Sequence, residues 1–270
     1  VKPSFSARLD DLRTRKSSVL CVGLDPDPDR LPPHLLASST LPDAVRRFCT
    51  DIIHATHESA IAYKINFAFF EALGREGHAV MENVLAAMPS DVLTIADAKR
   101  GDIGNSAGFY ARSAFETLDF DSITVSPYMG RDSVDPFLAY EGTCAFMLVR
   151  TSNPGSNDFQ QLQVDGKPLY HRVAQKVSIW GKQSPGEAGF VVGATDARDL
   201  EALRATFPDT PFLIPGVGAQ GGSASDVMAA AGSGPVLINS SRGVIYASGG
   251  EDFAAAAAAA AERTRQALDV

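Results

Sequence analysis

The sequence predicts an α/β protein, a single (β/α)8 barrel of the TIM type with its active site at the C-terminal ends of the strands. Three observations carry that expectation. Short apolar runs alternate with helical patterns from one end of the chain to the other, as parallel strands joined by crossover helices require. The runs number eight, the count that closes such a barrel. Unusual polar residues recur where those runs stop, the face on which these barrels do their chemistry. The length of 270 residues suits one barrel, and no composition shift or flexible linker divides it, so residues 1–270 are read as one domain.

Strands are expected near 19–24, 61–66, 92–97, 122–126, 145–150, 189–193, 211–215 and 236–239. Each is a β-rich apolar run of strand length. Between them, helical patterns fill 43–57, 69–88, 103–118, 131–140, 168–182, 197–206, 222–231 and 252–268, with an additional leading helix near 4–16. The alanine run from Ala254 to Ala261 reads as the closing helix, because alanine is the best helix former and charged residues bound the run. The segment from Thr151 to Lys167, rich in Ser, Asn, Gly and Gln, is the longest polar connection. It follows a strand, which makes it a candidate substrate loop.

Bulk composition narrows the function. Hydrophobic residues make up 45% and charged residues 21%, ordinary for a globular protein. The net charge of −8 opposes nucleic acid or an anionic membrane surface as partner, while leaving room for a local basic pocket that takes an anionic small molecule. The N-terminal residues lack the continuous apolar core of a signal peptide, and no later run is long enough to span a bilayer, so the cytoplasm is the expected compartment. Cys21, Cys49 and Cys144 are far apart and set among apolar neighbours, as buried thiols are. His54 and His57 share a helical face with no further ligand pattern, so no metal site is expected.

The chemistry gathers at the strand ends. Asp91-Val-Leu-Thr-Ile-Ala-Asp97-Ala-Lys99-Arg-Gly-Asp102-Ile103 is an apolar run ending in charges. Asp97 and Lys99, two apart, share one face of the strand. Gly101 breaks the strand, and Asp102 occupies the N-cap position of the helix that begins at Ile103 and carries Ser106. Lys64 lies late in a strand suited to burial and needs an anion beside it, for which Asp97 on the next strand is the expected partner. Asp25, in Gly23-Leu-Asp-Pro, stands just beyond the first strand.

Two further stretches suggest an anion site. Pro215-Gly-Val-Gly-Ala-Gln220-Gly-Gly222 follows the seventh strand and lets backbone N–H groups converge at a helix start. Asn239-Ser-Ser-Arg242-Gly243 follows the eighth, where Arg242 adds a permanently charged fork. Loops after strands seven and eight commonly form the phosphate site of such barrels. Read singly, these features also fit solvated strand ends and a glycine-rich turn; read together they describe an acid–base cluster beside a phosphate anchor.

With these residues in place the chain resembles, almost end to end, the orotidine 5′-monophosphate decarboxylases, in particular the longer bacterial form called type 2. The matching residues are Asp25, Lys64, the Asp97-x-Lys99-x-x-Asp102-Ile103 core, Ser152-Asn-Pro-Gly155, the Pro215 to Gly222 loop, and Arg242-x-x-Ile-Tyr246. The aspartate and lysine core is shared with related phosphosugar decarboxylases and synthases; the serine loop, the glutamine loop and the arginine narrow the match.

The resemblance implies removal of CO2 from C6 of orotidine 5′-monophosphate to give uridine 5′-monophosphate, the last step of de novo pyrimidine nucleotide synthesis, with no cofactor and no metal. It implies Lys99 as proton donor to a C6 carbanion, held among Asp97 and Asp102. Asp25, Lys64 and Asp102 would contact the ribose hydroxyls and Ser152 the pyrimidine. Pro215 and Val217 would touch the base, Gln220 and Gly221 the region toward the phosphate, and Arg242 the phosphate itself. It also implies a homodimer in which Asp102, Ile103 and Ser106 complete the partner's site; relatives often have threonine at the position of Ser106. The alternatives are a phosphosugar decarboxylase or synthase of the same superfamily, and a non-catalytic nucleotide-binding barrel.

Overall fold

Eight parallel strands close into one barrel in the computed structural model, which describes residues 2–194, 197–216 and 223–269. The strands are β1 (Leu20–Leu24), β2 (Ala62–Asn66), β3 (Leu93–Arg100), β4 (Ser122–Val125), β5 (Cys144–Arg150), β8 (Glu187–Val192), β9 (Phe212–Pro215) and β10 (Val236–Ser240). A separate two-stranded hairpin, β6 (Gln163–Val164) with β7 (Lys167–Pro168), decorates the long polar connection after β5. Around the barrel order the neighbours are β1-β10-β9-β8-β5-β4-β3-β2, so the first and last strands pair and no edge remains.

The helices are α1 (Phe5–Lys16), α2 (Pro33–Ser38), α3 (Leu41–Thr56), α4 (Phe67–Glu71), α5 (Gly77–Ala86), α6 (Gly104–Arg112), α7 (Leu169–Gly181), α8 (Ala197–Thr206), α9 (Ala224–Ala231), α10 (Arg242–Ile245) and α11 (Phe253–Leu268). Outward strand residues such as Val22, Ile65, Ile123, Met147, Phe190 and Ile238 pack against these helices in the larger core. None of the described helices is long and apolar enough to cross a membrane.

Strand alternation sets the inside of the barrel in layers. Cys21, Ala62, Leu93, Ile95, Cys144, Phe146, Val191, Leu213 and Leu237 fill the lower layers together with Phe5, Leu9 and Leu12 of α1, which plugs the bottom. Phe5 meets Phe146 edge-on, with ring centroids 5.6 Å apart. The Phe146 ring fits because Gly189 faces it; a Cβ there would lie 2.5 Å from the ring. One pleat higher, the inward positions become polar, and that change in chemistry is the floor of the site. All three cysteines are buried free thiols.

Three local expectations are corrected. The segment 131–140 is two 3-10 turns, Arg131–Ser133 and Asp135–Leu138, and not an α-helix, because Pro136 has no N–H to continue one. The helix expected over 69–88 breaks into α4 and α5 where Gly74 takes φ +67°. Asp102 is not an N-cap: the chain stays extended through Ile103 and α6 starts at Gly104, with no side-chain cap. Instead Asp102 Oδ1 accepts a hydrogen bond from the Ile103 N–H at 2.8 Å.

Candidate active site

The upper layer of the barrel presents Lys64 from β2, Asp97 from β3, Thr124 from β4 and Asn239 from β10 to one pocket. Asp25, just past β1, and Ser241 and Arg242, just past β10, close its rim, while Leu148, Val191, Leu213 and Pro215 form an apolar wall. Gly23 makes room for this rim, since a Cβ there would approach the Ser241 Cβ to 2.8 Å.

The charges form an alternating chain. Lys64 Nζ donates to Asp97 Oδ2 at 2.7 Å and lies 3.8 Å from Asp25 Oδ1. Lys99 Nζ donates to Asp97 Oδ1 at 2.6 Å. The lysine side chains differ in setting: that of Lys64 is 6% exposed and that of Lys99 52%, so Lys64 lies at the pocket floor and Lys99 stands in its open part. Ser241 Oγ donates to Asp25 Oδ2 at 2.5 Å.

Lys99 reaches Asp97 by a route that strand alternation does not describe. The β3–β4 register shifts between Ala96 and Arg100, and Lys99 has φ +45°, a left-handed conformation unfavourable for a side chain with a Cβ. Thr124 holds it there: its Oγ1 accepts the Lys99 N–H at 2.9 Å and donates to Asp97 Oδ1 at 3.1 Å.

Burial alone would push the Asp97 carboxyl up, but the ammonium groups of Lys64 and Lys99 outweigh it and bring it down to about 2. Burial likewise works against the charged form of Lys64, and the Asp97 and Asp25 carboxylates reverse that, holding it above the ordinary lysine value. Both members of the buried pair are therefore charged at neutral pH.

Of the residues expected at the site, Asp25, Lys64, Asp97, Lys99, Pro215 and Arg242 line this one pocket. Ser152 lines an adjoining, more apolar chamber with Tyr128, Phe159 and Tyr170; the two share Lys99, Leu148, Val191 and Pro215. Asp102, Ile103 and Ser106 stand apart, at the start of α6, where Ile103 is 56% exposed. Val217, Gln220 and Gly221 lie outside the described residues. Asn239 and Ser241 belong to the 239–243 stretch expected at an anion site, although no individual role is assigned to them there; Asn66 and Thr124 join the pocket without being among the expected site residues. For Asn66 a signal was available, because it lies two residues after Lys64, as Ser241 lies two after Asn239.

Fold and site together define a (β/α)8-barrel enzyme whose strand ends set a carboxylate between two lysines, beside an arginine-edged pocket. The chain belongs to the orotidine 5′-phosphate decarboxylase / HUMPS family, whose model matches residues 18–259. An orotidine 5′-phosphate decarboxylase of Azoarcus sp. is 48% identical over 262 residues, covering 95% of each chain. One from Flavobacterium johnsoniae is 45% identical over 259 residues, covering 94% of this chain and 93% of that one. Among solved structures, the OMP decarboxylase of Leishmania donovani superposes with a TM-score of 0.84 at 40% identity, covering 99% of this chain and 100% of that one.

Proposed function

We propose that this protein decarboxylates orotidine 5′-monophosphate to uridine 5′-monophosphate and CO2, the closing step of de novo pyrimidine nucleotide synthesis, without a metal or cofactor. The observation that carries the reading is the Asp97 carboxylate held between Lys64 at 2.7 Å and Lys99 at 2.6 Å on the open end of the barrel. In the proposed step the C6–carboxylate bond breaks, its electron pair stays on C6, and CO2 leaves. Lys99 then gives C6 a proton and is reprotonated from solvent. Both Asp97 oxygens are engaged by ammonium groups, a setting that suits anion stabilisation better than coordination of a divalent ion.

An ammonium about 3 Å from a full carbanion charge, at an effective dielectric near 20, contributes about 5–6 kcal/mol, or roughly four powers of ten in rate. Enzymes at the upper end reach about 23 kcal/mol, so remote binding must supply much of the rest. In this reading Arg242 and the Gln220 loop grip the phosphate and drive closure of the site. Ser223, the N-cap of α9, makes no side-chain capping hydrogen bond to the first turn, and among the described residues this suits an anion there. Asp25 and Lys64 hold the ribose hydroxyls, Ser152 the pyrimidine, and Pro215 and Val217 the base face.

The reading includes a homodimer in which Asp102, Ile103 and Ser106 complete the neighbouring site. Its support is that these residues lie outside their own pocket, on a surface where Ile103, Phe109, Tyr110 and Met129 are all exposed. The test of the function is the ultraviolet absorbance change on adding orotidine 5′-monophosphate, with and without a strong chelator. Full activity in both supports the proposal. No turnover, or turnover abolished by chelation, rejects it in favour of a silent nucleotide-binding barrel or a metal-dependent relative.

A further inference from the structure

Tyr246 sits outside the pocket lining, yet its hydroxyl is spent entirely on the segment that carries Asp25. It donates to the Asp25 carbonyl at 2.8 Å and accepts the Asp27 N–H at 2.6 Å. Asp25 lies just past the end of β1, and the ladder can no longer hold its backbone. Pro26 and Pro28 bring no N–H of their own, so a single phenol oxygen meets needs that the loop cannot meet internally. Burial pushes the phenol up to about 12, which keeps it a donor.

The ring is fixed as firmly as the hydroxyl. The Arg30 guanidinium lies 4.0 Å from its centroid, and Phe48 stacks on it at 5.6 Å. Tyr246 follows directly on α10, whose first residue is Arg242, and its N–H donates to the Arg242 carbonyl at 3.3 Å. One short element thus presents Arg242 to the pocket and braces the backbone of Asp25. Ser241, at the head of the same element, holds the Asp25 carboxylate itself.

We infer that Tyr246 is a positioning residue that fixes the 25–27 segment so that the Asp25 carboxylate meets the ribose in register with the phosphate held by Arg242. This rests on the decarboxylase reading for the identity of the ligand, and on geometry alone for the bracing.

The test is a double-mutant cycle. Tyr246→Phe keeps the ring contacts and removes only the hydroxyl; Asp25→Ala removes the group it is inferred to position. Wild type, both single variants and the double variant are compared for kcat/KM on orotidine 5′-monophosphate and for uridine 5′-monophosphate affinity by calorimetry, at a temperature where circular dichroism shows all four folded.

Loss of both partly buried hydrogen bonds of the hydroxyl predicts that Tyr246→Phe lowers kcat/KM about tenfold in the wild-type background. In the Asp25→Ala background the further loss is less than about twofold, because nothing remains to be positioned. The same fold-loss in both backgrounds, or none in either, overturns the inference. A wild type that binds the nucleotide without turning over substrate rejects the decarboxylase reading alone, and the affinity cycle then decides the role of Tyr246. A wild type that binds neither nucleotide removes the ribose site and the inference with it.

Discussion

Lys64 and Asp97 are joined at 2.7 Å across adjacent strands, with both side chains buried at the pocket floor. A buried charge pair is stable only while both partners remain ionised, so the site carries its own pH limits. The Asp97 carboxyl lies at about 2 against an ordinary 3.8. Its contribution, about 2 kcal/mol, is therefore complete above about pH 4 and lost as the pH falls toward 2. Lys64 is shifted upward, so its contribution is complete below the ordinary lysine value of 10.5 and lost as the pH rises through its higher folded value. In urea unfolding, the stability gap between wild type and Asp97→Asn should shrink as the pH falls from about 4 to 2. A gap that stays constant over that window contradicts the assignment.

Arg242 lies exposed at the pocket rim. Arg242→Ala should lower kcat/KM for the nucleotide by about 100-fold, the scale of a lost charge-assisted bidentate contact. The loss should appear chiefly as a raised KM. Unchanged kinetics would remove Arg242 from the site.

The shared-site proposal has a complementation test. Lys99→Ala and Asp102→Ala homodimers should each be inactive. Subunit exchange between them should restore about a quarter of wild-type activity, because half the dimers are hybrids and each hybrid has one complete site. Failure to regain activity despite proven exchange places Asp102 outside the partner's site.

Stability of the opposite barrel end depends on Arg204. This buried arginine donates to the carbonyls of Ala231, Phe207, Pro208, Thr210 and Pro235, and its guanidinium lies 3.7 Å from the centroid of the Phe212 ring. It thereby ties α8, α9 and the entries to β9 and β10. Arg204→Met should cost about 3 kcal/mol or more by orphaning buried carbonyls, measured by urea unfolding. A loss below about 0.5 kcal/mol, the range of ordinary surface substitutions, would show the network to be dispensable.

Much of this architecture is legible in the chain, for identifiable reasons. Every barrel strand was foreseen because each is a bounded apolar run, and Lys64 and Asp97 stood out as charges in strands otherwise built for burial. What escaped depends on backbone turns that composition does not encode. Alternation placed Asp97 and Lys99 on one face, whereas the chain brings them together through a left-handed Lys99 braced by Thr124. Asp102 looked like a helix cap because its residue type suits one, yet Gly104 at φ +54° delays the helix. Thr124 carries no such signal, and Asn239 and Ser241 are legible only as part of the stretch around Arg242, because uncharged polar residues are common at strand ends and gain individual roles only through the pocket they share.

The central claim is that the Lys99 ammonium, held by Asp97, faces and then protonates the ring carbon that loses CO2. Single-turnover decarboxylation by Lys99→Ala, with uridine 5′-monophosphate binding as the control for an intact fold, tests it most directly. The account predicts retained nucleotide binding and a rate lower by about four powers of ten or more; near-normal decarboxylation by that variant would contradict it.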